Sequence, residues 1–300
     1  MLSPEIIKKI KKVHIKSARM VNTMMAGQYR SIFRGSGIEF EEVREYSPGD
    51  DVKSIDWKVS ARMGRPYVKL YREERELVVM LLMDMSGSEG FGTTDNLKKD
   101  IAAEIASILA FNAIRNNDRV GAILFTDRVE KYIPPKKGSA HVWRVIRELF
   151  SFEPEHTGTD IREAVAFLGR VSRKRTISFL ISDFLSPETS ATSEKPYIRR
   201  MKSLSGKHEL IAVMLSDPGE FHLPEAGILT LRDFETGRQI RVDASDASTR
   251  QHYHAHRTRN YAQTLQSLKT ADMDCIEIST AGSVVDALNH YFRIREKRKR

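Results

Sequence analysis

Asp84-Met85-Ser86-Gly87-Ser88 sets one carboxylate and two hydroxyls at alternate positions. The motif directly follows the longest apolar run of the chain, Leu77-Val78-Val79-Met80-Leu81-Leu82-Met83. Such a run suits a buried strand, and ligands of open α/β sheets bind beyond the carboxyl ends of the strands. Three hard oxygen donors at this spacing make one side of a site for Mg²⁺ or Mn²⁺. Gly87 lets the loop turn tightly. Two other segments offer the remaining donors. Thr157-Gly158-Thr159-Asp160 precedes an expected helix and supplies the Thr159 hydroxyl, and Ser182-Asp183 ends the expected strand Ile177–Ile181 and supplies a second carboxylate. Asp84, Ser86, Ser88, Thr159 and Asp183 converge if these strands are neighbours. Two carboxylates balance a divalent charge. An otherwise neutral set of ligands leaves the cation able to attract an acidic group from outside, which is chemistry for adhesion more than for hydrolysis.

The positioning elements follow from hydrophobic periodicity. Strands are expected at Leu77–Asp84, Val120–Phe125, Ile177–Ile181, Leu210–Leu215 and Cys275–Ile278. Helices are expected at Leu97–Arg115, Val142–Phe150, Ile161–Val171, Arg199–Leu204, about Thr249–Leu268 and Val284–Phe292. Continuous apolar strands alternating with helices predict a doubly wound, mostly parallel α/β sheet covered on both faces. Ile228–Leu231 and Gln239–Val242, flanking Glu235-Thr236-Gly237, read as an appended hairpin. Before the α/β part, Ile6, Ile10, Val13, Val21 and Met24 predict an amphipathic helix over about Pro4–Met25. Residues Ile38–Arg75 alternate and read as short strands, Ile55–Val59 among them, with turns at Ser47-Pro48-Gly49-Asp50 and Met63-Gly64-Arg65-Pro66. The expected organisation is a basic helix over residues 1–34, a β-rich segment over 35–76, the α/β domain over 77–292 and a basic tail over 293–300.

Asp-x-Ser-x-Ser, a downstream Gly-Thr and a strand-terminal Asp together resemble the metal-ion-dependent adhesion site of von Willebrand factor A domains. The wider text narrows the likeness. Glu42-Val43-Arg44-Glu45-Tyr46-Ser47-Pro48-Gly49-Asp50-Asp51-Val52, Ile55-Asp56-Trp57-Lys58-Val59-Ser60-Ala61-Arg62, Asn117-Asp118-Arg119-Val120-Gly121 and Leu180-Ile181-Ser182-Asp183-Phe184 resemble an uncharacterised A-domain-like family, the domain of unknown function numbered fifty-eight. Its members are typically encoded beside MoxR-type AAA+ ATPases. The resemblance implies that Ser86, Ser88 and Thr159 coordinate a cation through hydroxyls, and that Asp84 and Asp183 hold it directly or through water. It also implies a partner: a MoxR-type ATPase, or its client, presenting an acidic side chain. Glu89 departs from the family text, where methionine is common, and a carboxylate there competes with an incoming acidic ligand. Asp160 is expected to support the cation's ligands from behind.

Composition narrows the classes. The chain has 300 residues, 40% apolar and 30% charged, as ordinary globular proteins do. It shows no spanning apolar run and no signal-peptide pattern, so the expected location is the cytoplasm. The single cysteine, Cys275, excludes a disulfide framework and multi-cysteine metal sites, and is expected to be an inert apolar filler. The net charge of +9 is concentrated at the ends: eight Lys/Arg against Glu5 in residues 1–36, and six against Glu296 in residues 293–300. These ends invite an alternative role at nucleic acid or a membrane surface, against a reading as a solvated helix face and frayed tail. His252, His254 and His256 lie on an expected helix, where only the first and last share a face. Gly-x-Ser-x-Gly, the P-loop and His-Glu-x-x-His are all missing. A metal-dependent hydrolase using Ser86 or Ser88, with His156 as base, is the enzyme alternative. The Ile38–Arg75 block stays open between a docking platform exposing Arg44, Asp50, Asp51 and Trp57, and a hairpin with Trp57 on the core. The leading expectation is a non-enzymatic metal-dependent adaptor.

Overall fold

The structure, a computed structural model, describes residues 10–11, 39–72, 77–185 and 195–299. The expected basic N-terminal helix lies outside them, apart from Ile10 and Lys11, which are helical. Contacts divide the chain into two compact units, Phe33–Leu77 and a larger one containing Val78–Arg300.

In the small unit, β1 (Glu39–Glu45) pairs antiparallel with β2 (Tyr67–Arg72). Between them the expected strand at Ile55–Val59 is replaced by a 3-10 turn at Val52–Ser54 and by α1 (Trp57–Met63). Capping explains the difference. The Asp56 carboxylate accepts the backbone N–H groups of Lys58 and Val59, and Gly64, at φ +70°, closes the helix in the left-handed region. Asp51 caps the 3-10 turn through Lys53 N–H, and Asp50 is clamped by Arg44 at 2.6 and 2.8 Å. Trp57 is 68% exposed and does not pack on a core.

The larger unit is built on one six-stranded sheet of order β10-β7-β6-β3-β4-β5. Its strands are β3 (Val78–Asp84), β4 (Arg119–Phe125), β5 (Val129–Lys136), β6 (Ile177–Ser182), β7 (Glu209–Ser216) and β10 (Asp274–Ser279). All neighbours run parallel except β4 and β5. The β5 edge strand escapes hydrophobic patterning because it is charged and carries Pro134 and Pro135, which edges tolerate. A separate two-stranded hairpin, β8 (Ile228–Arg232) and β9 (Gln239–Asp243), is inserted after β7.

Among the described residues, six helices cover the sheet: α2 (Lys98–Arg115), α3 (Ser139–Ser151), α4 (Ile161–Val171), α5 (Pro196–Ser205), α6 (Ala247–Thr270) and α7 (Val284–Lys299). Met80 and Leu82 of β3 join Ile123, Phe125, Leu180 and Ala212 in a core that α4, α5 and α6 close with Val165, Leu168, Met201 and Leu268. The alternate residues Val79, Leu81 and Met83 point to the opposite face, where α2 packs with α3 and α7. Burying each such side chain contributes about 1.5–3 kcal/mol before conformational entropy is counted. The fold is therefore the expected doubly wound, mostly parallel α/β sheet with helices on both faces. Residues 293–299 are not a frayed tail. They continue α7, where Arg295 bonds Glu209 and Asp274.

His208 lies buried just before β7, its Nδ1 3.0 Å from Thr176 Oγ1 and its Nε2 without a partner. Burial, together with the charge of Lys207, lowers its pKa below the usual 6.5. Its contribution to stability is whole above pH ~6.5 and is lost as pH falls through the lowered folded-state value. Urea titrations at pH 7.5 and 5.0 should show a smaller acid-side loss in His208→Asn than in the wild-type chain.

Candidate metal centre

The chain runs from β3 to β4 and β5 on one side of the sheet, then returns to β6 on the other. The crevice between β3 and β6 is thus the topological switch point, where open α/β sheets bind ligands. Asp84 ends β3 and Asp183 directly follows β6, with Met83 paired to Ile181. Both carboxylates therefore sit at the same rim of adjacent parallel strands.

The loop after β3 is fixed by its own hydrogen bonds. Asp84 Oδ1 accepts the Ser86 N–H at 2.9 Å, and Asp84 Oδ2 accepts the Ser182 hydroxyl at 2.6 Å. The hydroxyls of Ser86 and Ser88 lie 3.2 Å apart. A 3-10 turn, Gly87–Gly90, then brings the Glu89 side chain back into the crevice. Glu89 Oε1 accepts the Asp183 N–H at 3.2 Å, whereas Glu89 Oε2 is buried with no hydrogen-bond partner. After Asp183, Phe184 adopts φ +56°, a costly conformation for a bulky residue, and Leu185 N–H then reaches Asp183 Oδ1 at 2.9 Å.

Asp84, Glu89 and Asp183 each offer an oxygen within 4.8 Å of the others, and all three are buried. Burial, with the neighbouring Asp183 carboxylate, lifts the Asp84 pKa to about 6 against the hydrogen bonds from Ser182 and Ser86. Burial, then the charges of Asp183 and Asp84, hold the Glu89 carboxyl well above its usual range, with Lys98 opposing. An ammonium also faces this rim, that of Lys98, which is not among the expected site residues. Lys98 opens α2 and is 0% exposed, with Nζ 2.5 Å from Asp183 Oδ2 and 2.7 Å from Glu220 Oε1. Burial works against its charged form, but the carboxylates of Asp183, Glu89 and Glu220 outweigh it and raise its pKa. Glu220 also accepts Asp217 N–H, and Asp217 gathers Thr93 and Thr280, tying the ends of β7 and β10 into the same polar rim. Neither Lys98 nor Glu220 carries a motif.

Thr159 enters from the loop before α4, and Gly87 N–H donates to Thr157 O at 2.9 Å, joining that loop to the Asp84 loop. The Thr159 hydroxyl donates to Glu235 Oε1 at 2.7 Å. Glu235 sits at the tip of the β8–β9 hairpin and was not among the expected site residues. Burial lifts its pKa to about 7 against the Thr159 hydrogen bond, and the charges of Asp84 and Asp183 add to the rise. Asp160, expected behind the site, instead caps α4 through the N–H groups of Arg162 and Glu163 and pairs with the Arg162 guanidinium. Asp84, Glu89 and Asp183 are the ligand-bearing cluster found among the described residues, and the 252/254/256 histidines form none there. His254 stacks on His222 at 4.5 Å. Burial pushes the Cys275 thiol up to about 12, as suits an inert filler.

The donors fit a small divalent cation. They are hard oxygens, one of them buried without a partner, and their negative charge exceeds what Lys98 offsets. Two consequences can be measured. Lys98→Met strands Asp183 and Glu220 and should cost about 3–5 kcal/mol in urea unfolding. A Cβ at Gly87 would lie 2.4 Å from the Phe234 carbonyl oxygen. Gly87→Ala should therefore lift the hairpin tip and speed its cleavage by limited proteolysis, with the α/β body left resistant.

A family model described as protein of unknown function DUF58 matches residues 42–263. The uncharacterized protein Rv1480 of Mycobacterium tuberculosis is 29% identical over 244 residues, covering 80% of this chain and 75% of that one. The crystal structure of an aerotolerance-related membrane protein from Bacteroides fragilis superposes with a TM-score of 0.50 at 19% identity, over 73% of this chain and 99% of that one. The SpRpn10 VWA domain gives a TM-score of 0.42 at 10% identity, over 72% and 95%. Among the described residues of this chain, no helix is long and apolar enough to cross a membrane.

Proposed function

The chain belongs to the DUF58 family, and from that premise we propose that it is a non-enzymatic protein-interaction module whose grip depends on a divalent metal. The observation that carries this reading is the buried Asp84–Glu89–Asp183 cluster with its unpartnered Glu89 oxygen. Asp84, Glu89 and Asp183 would hold Mg²⁺ or Mn²⁺, assisted by the hydroxyls of Ser86, Ser88 and Thr159. The bound cation supplies an electrophilic position for a carboxylate from outside. The chain's own residues hold the carboxylates apart from bulk water, orient them through Ser182 and the Asp183 and Leu185 amides, and keep Lys98 protonated beside them.

The family likeness points to a MoxR-type AAA+ ATPase, or a client it remodels, as the protein that presents this carboxylate. The chain would then act as an adaptor in a chaperone-like assembly or maturation step. Hydrolysis at the same rim is less well supported, since the hydrogen bond seen between the Ser86 and Ser88 hydroxyls joins them to one another and not to a base. A role for the C-terminal basic residues at nucleic acid is weakened by Arg295 and Arg298, both engaged with Asp274.

Isothermal titration of the full chain with Mg²⁺ and Mn²⁺ should show one site, lost in Asp84→Ala and in Asp183→Ala, with circular dichroism confirming that both variants fold. Capture of the ATPase should weaken with the same two substitutions. Metal binding and ATPase capture that both survive in both variants would sink the reading.

A further inference from the structure

The β8–β9 hairpin brings a glutamate to a rim already crowded with carboxylates. Electrostatics alone disfavours that placement, yet four contacts secure it. Thr159 Oγ1 donates to Glu235 Oε1 at 2.7 Å, and Thr157 Oγ1 donates to the Glu235 carbonyl at 3.1 Å. The Phe234 backbone presses so closely on Gly87 that no side chain fits there. The Phe234 ring lies 6.4 Å from that of Phe91.

The turn is also organised from within. Asp233 accepts Glu235 N–H at 2.9 Å and the Thr236 hydroxyl at 2.5 Å, and Gly237, at φ +71°, returns its N–H to the Asp233 carbonyl at 2.9 Å. Glu235 is therefore delivered on a preformed tip. The rest of the hairpin is lightly held. It forms a two-stranded sheet separate from the six-stranded one, and Ile228, Phe234 and Ile240 are exposed. An isolated pair of strands is marginally stable on its own, so the hairpin can leave without unfolding the sheet.

We infer that Glu235 is a built-in occupant of the metal centre, holding the place that a partner's acidic residue takes, so that a partner binds by displacing the β8–β9 hairpin. This inference rests on the metal reading above and adds to it both the form of the partner and a control. The group that fits is a carboxylate on a tight, Asp-stabilised turn, since that is the shape the chain itself supplies. With the hairpin down, the site is satisfied internally and closed to others. Where Glu235 merely anchors the hairpin by hydrogen bonding, glutamine serves as well, because its Oε1 accepts from Thr159 equally.

The test is amide hydrogen exchange of the full chain with Mn²⁺ or with EDTA, alongside Mn²⁺ titration, in wild type and Glu235→Gln. Mn²⁺ should slow exchange across Asp233–Gly237 in the wild type. Glu235→Gln should lose that slowing and bind Mn²⁺ about tenfold more weakly. If Mn²⁺ binds but the turn exchanges alike with and without it, or glutamine behaves as glutamate does, the internal-occupant inference fails and the metal reading stands. If Mn²⁺ does not bind the wild-type chain, the metal reading fails and takes this inference with it.

Discussion

Three carboxylates share one buried crevice, and the Lys98 ammonium faces them. Asp84, Glu89 and Asp183 lie within reach of one another beyond the ends of β3 and β6, and Lys98 neutralises only part of their charge. Buried charges are tolerated when paired and hydrogen bonded, and are costly otherwise. The surrounding structure answers that constraint. Ser182 and the backbone amides of Ser86, Asp183 and Leu185 spend their hydrogen bonds here. The N-terminus of α2 is sunk so that Lys98 can arrive. The unusual backbone of Phe184 turns the chain so that Asp183 faces the crevice's partners. What stays uncompensated is one oxygen of Glu89, and a cation is the simplest group that satisfies it.

The site combines a floor of buried strands with a roof laid over it by the hairpin. The floor is the parallel sheet, whose strands are buried on both faces and whose register fixes Asp84 beside Asp183. The roof is the hairpin, held by a few contacts at its tip. Placing ligands on rigid strands and access on a light appendage lets binding be precise while entry remains adjustable. Glu89 extends the same logic. Where an adhesion-type site keeps its ligands mostly neutral, a third carboxylate draws down the cation's charge. An incoming acid then gains less, and a weakly held internal glutamate becomes a credible competitor.

The fold is shared with proteins whose sequences have diverged far from this one, as the 19% identity to the Bacteroides fragilis protein shows. A common sheet does not bring a common partner with it, because function resides in the groups grafted on the rim. Glu89, Lys98 and Glu235 are the groups that give this rim its particular charge balance. The Phe33–Leu77 unit adds a different surface. Its 3-10 turn leaves Val52 exposed, and its short helix leaves Trp57 and Met63 exposed.

Local pattern alone identified the strands from β3 to β10 except β5, the six helices of the larger unit, the hairpin and the candidate donors Asp84, Ser86, Ser88 and Asp183. Apolar runs, 3.6-residue periodicity and turn residues are properties of neighbouring residues and survive without a fold. The sheet order, by contrast, sets residues 84, 89, 98, 183, 220 and 235 around one crevice, and no short-range signal records it. Lys98 reads as an ordinary helix-start lysine until its neighbours across the sheet are known. Glu235 reads as a solvent-facing turn residue until the hairpin is laid over Gly87. In the Ile55–Val59 stretch, alternation suggested a strand, but side-chain caps at Asp56 and a left-handed Gly64 made a helix. Composition and spacing thus determined which donors the chain owns. Only tertiary structure decided which of them share a dielectric environment, because Coulomb and desolvation energies depend on distance and burial and not on sequence separation.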